Sequence, residues 1–139
     1  MMKCYAVIDT NVLVSALLSS HDDAATVQVV GRLLSGEVIS LFNDEILNEY
    51  NEVLRRKRFH FSESAVRILI DVMEKFGEAV RPSPSGEILP DMKELPFYEV
   101  VLEKRNDNAY LITGNIRHFP KKPFVVTARE FLESVFISV

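Results

Sequence analysis

The run Cys4-Tyr5-Ala6-Val7-Ile8 carries no charge and ends directly in Asp9-Thr10-Asn11. A strand with one solvated face alternates apolar and polar residues, whereas an unbroken apolar run is covered on both faces. Such a run suits a buried parallel strand, with helices on either side of a sheet. The acid at the strand's exit is the second constraint. In open α/β sheets ligands bind beyond the C-terminal ends of the strands. A carboxylate beside a dry core is costly unless something positive meets it.

The rest of the chain repeats the strand–helix alternation. Residues 11–18 and 24–35 read as helical, the second with Val27, Val30, Leu33 and Leu34 on one face and Gly36 as its stop. Val38–Phe42 is a second buried strand, and Asn43 or Asp44 caps a helix running to about Arg58. Ser62 caps the next helix, with Val66, Leu69, Ile70 and Met73 as its apolar stripe. Gly77 closes it, and residues 78–81 form a short strand. Residues 82–86 (PSPSG) are a loop. Pro96 suits the first turn of a helix through residues 97–105. Residues 109–112 and 124–126 are further strands, and Thr127–Glu130 is a capping box opening a last helix. The order implies right-handed crossovers and a parallel sheet covered on both faces. Val135-Phe136-Ile137 suits an edge strand, a core strand or a dimer contact.

Residues 1–139 are expected to form one domain. No stretch approaches the ~18 apolar residues of a membrane helix, and Lys3 with five apolar residues does not make a signal peptide. Cys4 is the only cysteine, which excludes an intrachain disulfide and favours the cytoplasm. A net charge of −4 argues against a protein that coats nucleic acid, but not against a nuclease whose acids hold cations.

Four acidic or amide clusters lie where the alternation returns the chain to one edge. Asp9 leads; its plain alternative is a helix cap. On the helix from Asp44, residues 46, 47, 50, 53 and 54 form a stripe at ~100° per residue. Glu49 falls at its border, while Glu45 and Glu52 face water. Asp91 and Glu94 precede Phe97 and Tyr98, and helical spacing aims Glu94 inward. Asn115 follows Gly114 at a strand exit and offers a carbonyl oxygen without charge. Acids alone suggest a hard divalent cation. Asn11 reads as orienting Asp9 or binding substrate, and Thr113 as a phosphate contact. Arg117 and Lys121, with Lys122, are the preferred cations for substrate phosphates over the run Arg55–Arg58. His118 reads as a surface residue.

These segments together resemble the PIN domain family, and more narrowly the PIN-type toxins of prokaryotic toxin–antitoxin systems. The likeness rests on Ile8-Asp9-Thr10-Asn11, Glu49-Tyr50 with Val53-Leu54, Asp91-Met92-Lys93-Glu94 with Phe97-Tyr98-Glu99, and Leu111–Asn115 with His118-Phe119-Pro120. It implies a three-layer α/β/α sandwich around a parallel sheet of four or five strands. It implies a ribonuclease in which Asp9, Glu49 and Glu94, assisted by Asp91, bind Mg²⁺ or Mn²⁺ and hydrolyse RNA phosphodiesters to 5′-phosphates. An antitoxin protein and a homodimer are partners by resemblance only. Two positions depart from the family pattern: Glu94 where Asp is commoner, and Asn115 where many members carry Asp. The second opens an alternative, a weakened module that binds RNA or protein. A phosphoryl-accepting Asp is disfavoured, because Asn11 stands where that chemistry uses a second acid. No GxGxxG or GxxxxGK[ST] motif is present.

Overall fold

The computed structural model describes residues 3–136, with side chains through Ser134. Five parallel strands make the sheet: β1 (Cys4–Ile8), β2 (Val38–Phe42), β3 (Glu78–Ala79), β4 (Tyr110–Ile112) and β5 (Val125–Val126), in spatial order β3-β2-β1-β4-β5. Ala6, Val7 and Ile8 are fully buried, as a strand covered on both faces requires. Among the described residues six helices flank the sheet: α1 (Thr10–Leu18), α2 (Ala25–Ser35), α3 (Asp44–Val53), α4 (Glu63–Phe76), α5 (Leu95–Glu103) and α6 (Ala128–Glu130). Helix α2 packs against α4 and α6, while α5 lies across β1, β2 and β4 with α3 beside it. This is a PIN-like α/β/α sandwich.

The connectivity locates the site. From β1 the chain moves outward to β2 and β3, then crosses back to place β4 on the other side of β1. The reversal creates a topological switch point between β1 and β4, where the loops leaving the two strands diverge and open a crevice. Asp9 and Thr113 follow those two strands directly.

Local chemistry ends most elements as the sequence suggests. Asn43 Oδ1 accepts from the Ile46 amide (2.9 Å), Ser62 Oγ from Ala65 (3.1 Å), and Thr127 and Glu130 form a complete capping box. Gly77 sits where α4 crosses β2. A Cβ there would lie 2.2 Å from the Met73 carbonyl oxygen and 2.5 Å from Ser40 O and Oγ.

Four expectations are corrected. Helix α3 stops at Val53, not near Arg58, because Arg56 is extended and Lys57–Phe59 form a 3₁₀ turn; Arg55 reaches forward to Glu63 instead of continuing the helix. Helix α5 ends at Glu103, with a separate 3₁₀ turn at Arg105–Asp107. In α2 the inward stripe is Val29 and Leu33, a simple i, i+4 pair; Val27 and Val30 are half-buried and Leu34 is 52% exposed. The capping box opens only one α-helical turn, which runs on as a π-helical segment over Phe131–Phe136. Val135 and Phe136 are therefore not in a strand, and Ile137 lies outside the described residues. No helix among the described residues is long and apolar enough to cross a membrane.

Gly77→Ala is expected to destabilise the chain by about 1–3 kcal/mol through overpacking against fixed backbone. Gly31→Ala, in the middle of α2 with open space around it, should instead stabilise by about 0.5–1 kcal/mol. Urea midpoints at constant m-value check both.

Candidate metal centre

Asp9 leaves β1 at the switch point and is 2% exposed. It occupies the N-cap position of α1, yet its side chain makes no capping hydrogen bond. Its Oδ2 instead accepts from Thr113 Oγ1 (2.7 Å) and Asn11 Nδ2 (3.2 Å). Thr113 Oγ1 accepts in turn from the Asn115 amide (2.9 Å), and Asn11 Oδ1 from the Gly114 amide (3.1 Å). The loop after β4 is thereby clamped to the start of α1, with Asp9 at the clamp's centre. All of these donors are neutral, so they orient the carboxylate without balancing its charge.

Glu49 comes from α3 and is half-buried. Its neighbour Tyr50 is sealed in the core, and the Tyr50 hydroxyl donates to the Ile8 carbonyl. This pins α3 to the end of β1 and sets Glu49 beside the Asp9 edge. Thr10 Oγ1 donates to Glu49 Oε2. Glu45 and Glu52 are exposed, and Glu52 pairs with Arg56.

Glu94 ends a 3₁₀ turn over Met92–Glu94 that leads into α5, with Pro96 in that helix's first turn. Asp91 caps the 3₁₀ turn by accepting from the Lys93 amide (3.1 Å). Glu94 Oε2 is sealed from solvent and has no hydrogen-bond partner.

Electrostatics tie the three acids together. Burial, then the negative charges of Asp9 and Glu49, then a hydrogen bond to Asp9, push the Glu94 carboxyl up to about 8. Burial also raises Asp9, against the opposing hydrogen bonds from Thr113 and Glu94. Glu49 is raised by burial and by Asp9, against the Thr10 hydrogen bond. Tyr50, wholly buried beside Asp9 and Glu49, is raised well above the usual phenol range. The ion pairs of the described residues lie elsewhere on the molecule, apart from His118 and Asp91.

The structure thus brings Asp9, Glu49 and Glu94 into mutual electrostatic contact, with Asp91 beside Glu94. It does not bring Asn115 to them in the same way. Asn115 is exposed, and the link it makes is its backbone amide on Thr113. Arg117 and Lys121 are exposed on the segment after Asn115. The phosphate contact expected of Thr113 is corrected: the residue is wholly buried and its hydroxyl is turned onto Asp9. Asn11 likewise uses both amide atoms inside the protein, which favours its orienting role over substrate contact. His118 is not simply a surface residue. Its Nδ1 is sealed from solvent 3.7 Å from Asp91 Oδ2, and ligand atoms of Asp91, Glu94 and His118 all lie within 4.8 Å of one another. Thr10 was also missed. The signal available for both was proximity in sequence to Asp9 and Asn115.

A family model described as PIN domain matches residues 5–117. The chain belongs to the PIN domain family. No curated protein and no solved structure matches it. Membership points to nuclease activity in general and to divalent metal use, since PIN domains are usually metal-dependent nucleases. The acids of this PIN domain fit a cation. A sealed Glu94 oxygen without a hydrogen-bond partner, electrostatically coupled to two further carboxylates, would be satisfied by a positive ion.

A stability signature follows. Between about pH 4.5 and 8 the folded, metal-free chain holds a Glu94 proton that the unfolded chain has released. Stability from this group is complete below the lower value and is lost as pH rises through the upper. Asp9 and Glu49 are raised too and act in the same direction. In chelator-treated protein, the denaturation free energy should fall from pH 5 to pH 8, and Glu94→Gln should flatten the slope. Equal slopes in both proteins would contradict the assignment.

Proposed function

We propose that this PIN domain is a Mg²⁺- or Mn²⁺-dependent endoribonuclease and the toxin of a toxin–antitoxin pair. The reading is supported by the electrostatic coupling of Asp9, Glu49 and Glu94, in which burial first and the charges of the other two acids second push Glu94 up to about 8. Such an arrangement is unfavourable alone and favourable around a divalent ion.

Asp9, Glu49 and Glu94 would hold the cation, with Asp91 completing the shell. A cation bound here supplies Lewis-acid polarisation of the phosphodiester and a nucleophilic water at neutral pH. The remaining work belongs to the chain. Thr113 and Asn11 fix the Asp9 carboxylate in one rotamer. Thr10 does the same for Glu49. Holding both acids still lowers the reorganisation cost of in-line attack. Exposed Arg117, Lys121 and Lys122 offer positive charge to RNA phosphates beside the acid edge. The run Arg55–Arg58 is less suited, because Arg55 is bound to Glu63 and Arg56 to Glu52.

A second reading is a weakened module that binds RNA or a protein partner. The uncharged, exposed Asn115 favours it, since one oxygen donor is missing its charge.

The purified chain should cleave single-stranded RNA to 5′-phosphate ends with Mn²⁺ or Mg²⁺, and chelator should abolish cleavage. Asp9→Asn and Glu94→Gln should each lower the rate by at least a hundredfold at unchanged fold. RNA retained without cleavage under all metal conditions would support the second reading. Cleavage by Asp9→Asn at the parent rate would refute the metal mechanism. A small partner protein that is co-purified and inhibits cleavage would support the toxin assignment.

A further inference from the structure

His118 is the one histidine at this edge. His21 and His60 are exposed and belong to other loops. A 3₁₀ turn over Ile116–His118 holds it, closed by the His118 amide on the Asn115 carbonyl (2.9 Å) and followed by the buried anchor Phe119. The backbone at His118 is therefore fixed, while its side chain is 41% exposed.

Two sealed atoms at this edge have no hydrogen-bond partner: Glu94 Oε2 and His118 Nδ1. The contact with Asp91 is an ion pair without a hydrogen bond. At 3.7 Å the Nδ1–Asp91 Oδ2 separation is too long for a hydrogen bond. The other Asp91 oxygen, Oδ1, is already taken by the Lys93 amide. Neither atom bonds the other, although one tautomer of the imidazole could donate to Glu94, and a single cation would satisfy both. The spacing suits one. Ligand atoms of Asp91, Glu94 and His118 lie within 4.8 Å of one another, and donors on opposite sides of an ion with bonds of about 2.1–2.3 Å stand about 4.2–4.6 Å apart.

We propose that His118 is a nitrogen ligand of the cation, acting with Asp91 and Glu94, and that it biases this centre toward first-row transition ions over Mg²⁺. The inference rests on the reading that these acids hold a divalent cation and deepens it. The chemical reason is ligand type. Mg²⁺ takes oxygen donors and dehydrates reluctantly, whereas imidazole favours the transition series, increasingly so from Mn²⁺ to Co²⁺.

The test is spectroscopic and needs no turnover. The full chain is loaded with Mn²⁺ alone, and electron spin echo modulation is recorded for a directly bound ¹⁴N. The expected result is one nitrogen coupling that disappears in His118→Gln. Calorimetry should show Co²⁺ affinity falling about tenfold or more in that variant, with Mg²⁺ affinity changing less than about threefold. The measurement on the unsubstituted chain stands even if the variant fails to fold. Bound Mn²⁺ without nitrogen coupling, or Co²⁺ affinity indifferent to His118→Gln, overturns this inference and leaves the proposed nuclease intact. Failure of the unsubstituted chain to bind Mn²⁺ at all overturns both.

Discussion

A carboxylate buried at the sheet's switch point governs this molecule. Asp9 must be there for the edge to carry charge, and among the described residues it has no ion pair, only the coulombic pull of His118. Neutral donors from Thr113 and Asn11 hold its geometry, while burial keeps it poorly solvated. The second and third acids then arrive on helices that have packing reasons of their own to be there. Tyr50 seals α3 against Ile8, and Phe97 and Tyr98 bury α5 against the sheet. The core thus forces Glu49 and Glu94 toward Asp9 at an electrostatic cost. A compact fold that retains such a cost at its open edge is one that a ligand of opposite charge completes.

The distribution of cations fits the same logic. Had Arg or Lys been folded into the edge, the acids would be satisfied and a metal would gain little. Instead Arg55, Arg56 and Arg67 are paired with acids on the outer faces of α3 and α4. The segment after Asn115 keeps exposed Arg117, Lys121 and Lys122. A negative polymer approaching the acids therefore meets its screening charge on the β4–β5 side of the crevice. The net charge of −4 does not oppose this, because affinity for phosphates depends on local potential more than on the total.

Much of the fold was legible because it depends on short-range rules. The uncharged run of β1, the caps at Asn43, Ser62 and Thr127, and the stripe of α4 each follow from local chemistry. Glu49 could be singled out because its angular position on α3 borders the apolar stripe, and the structure leaves it half-buried while Glu45 and Glu52 are exposed. What could not be read were the ends of α3, α5 and α6, where propensity allows continuation and tertiary contacts stop it. Nor could the partners of Asp9 be read. Thr113 is 104 positions away in sequence, and a β-branched residue at a strand end gives no sign of which way its hydroxyl turns. His118 was hidden for a related reason. Its neighbours Asp91 and Glu94 belong to another crossover, and only the reversal of strand order puts the two loops side by side.

The identity of the third-cluster acid sharpens the point. A Glu at position 94 reaches one methylene further than an Asp, from a turn already fixed by the Asp91 cap and by Pro96. The extra reach carries Oε2 into a pocket sealed from water, against Asp9 on one side and within range of His118 on the other. A shorter acid on the same turn would stop nearer solvent and repel Asp9 less. Glu94 is therefore the residue that lies between the carboxylate pair and the imidazole, and its burial among negative charges is what a positive partner there would relieve.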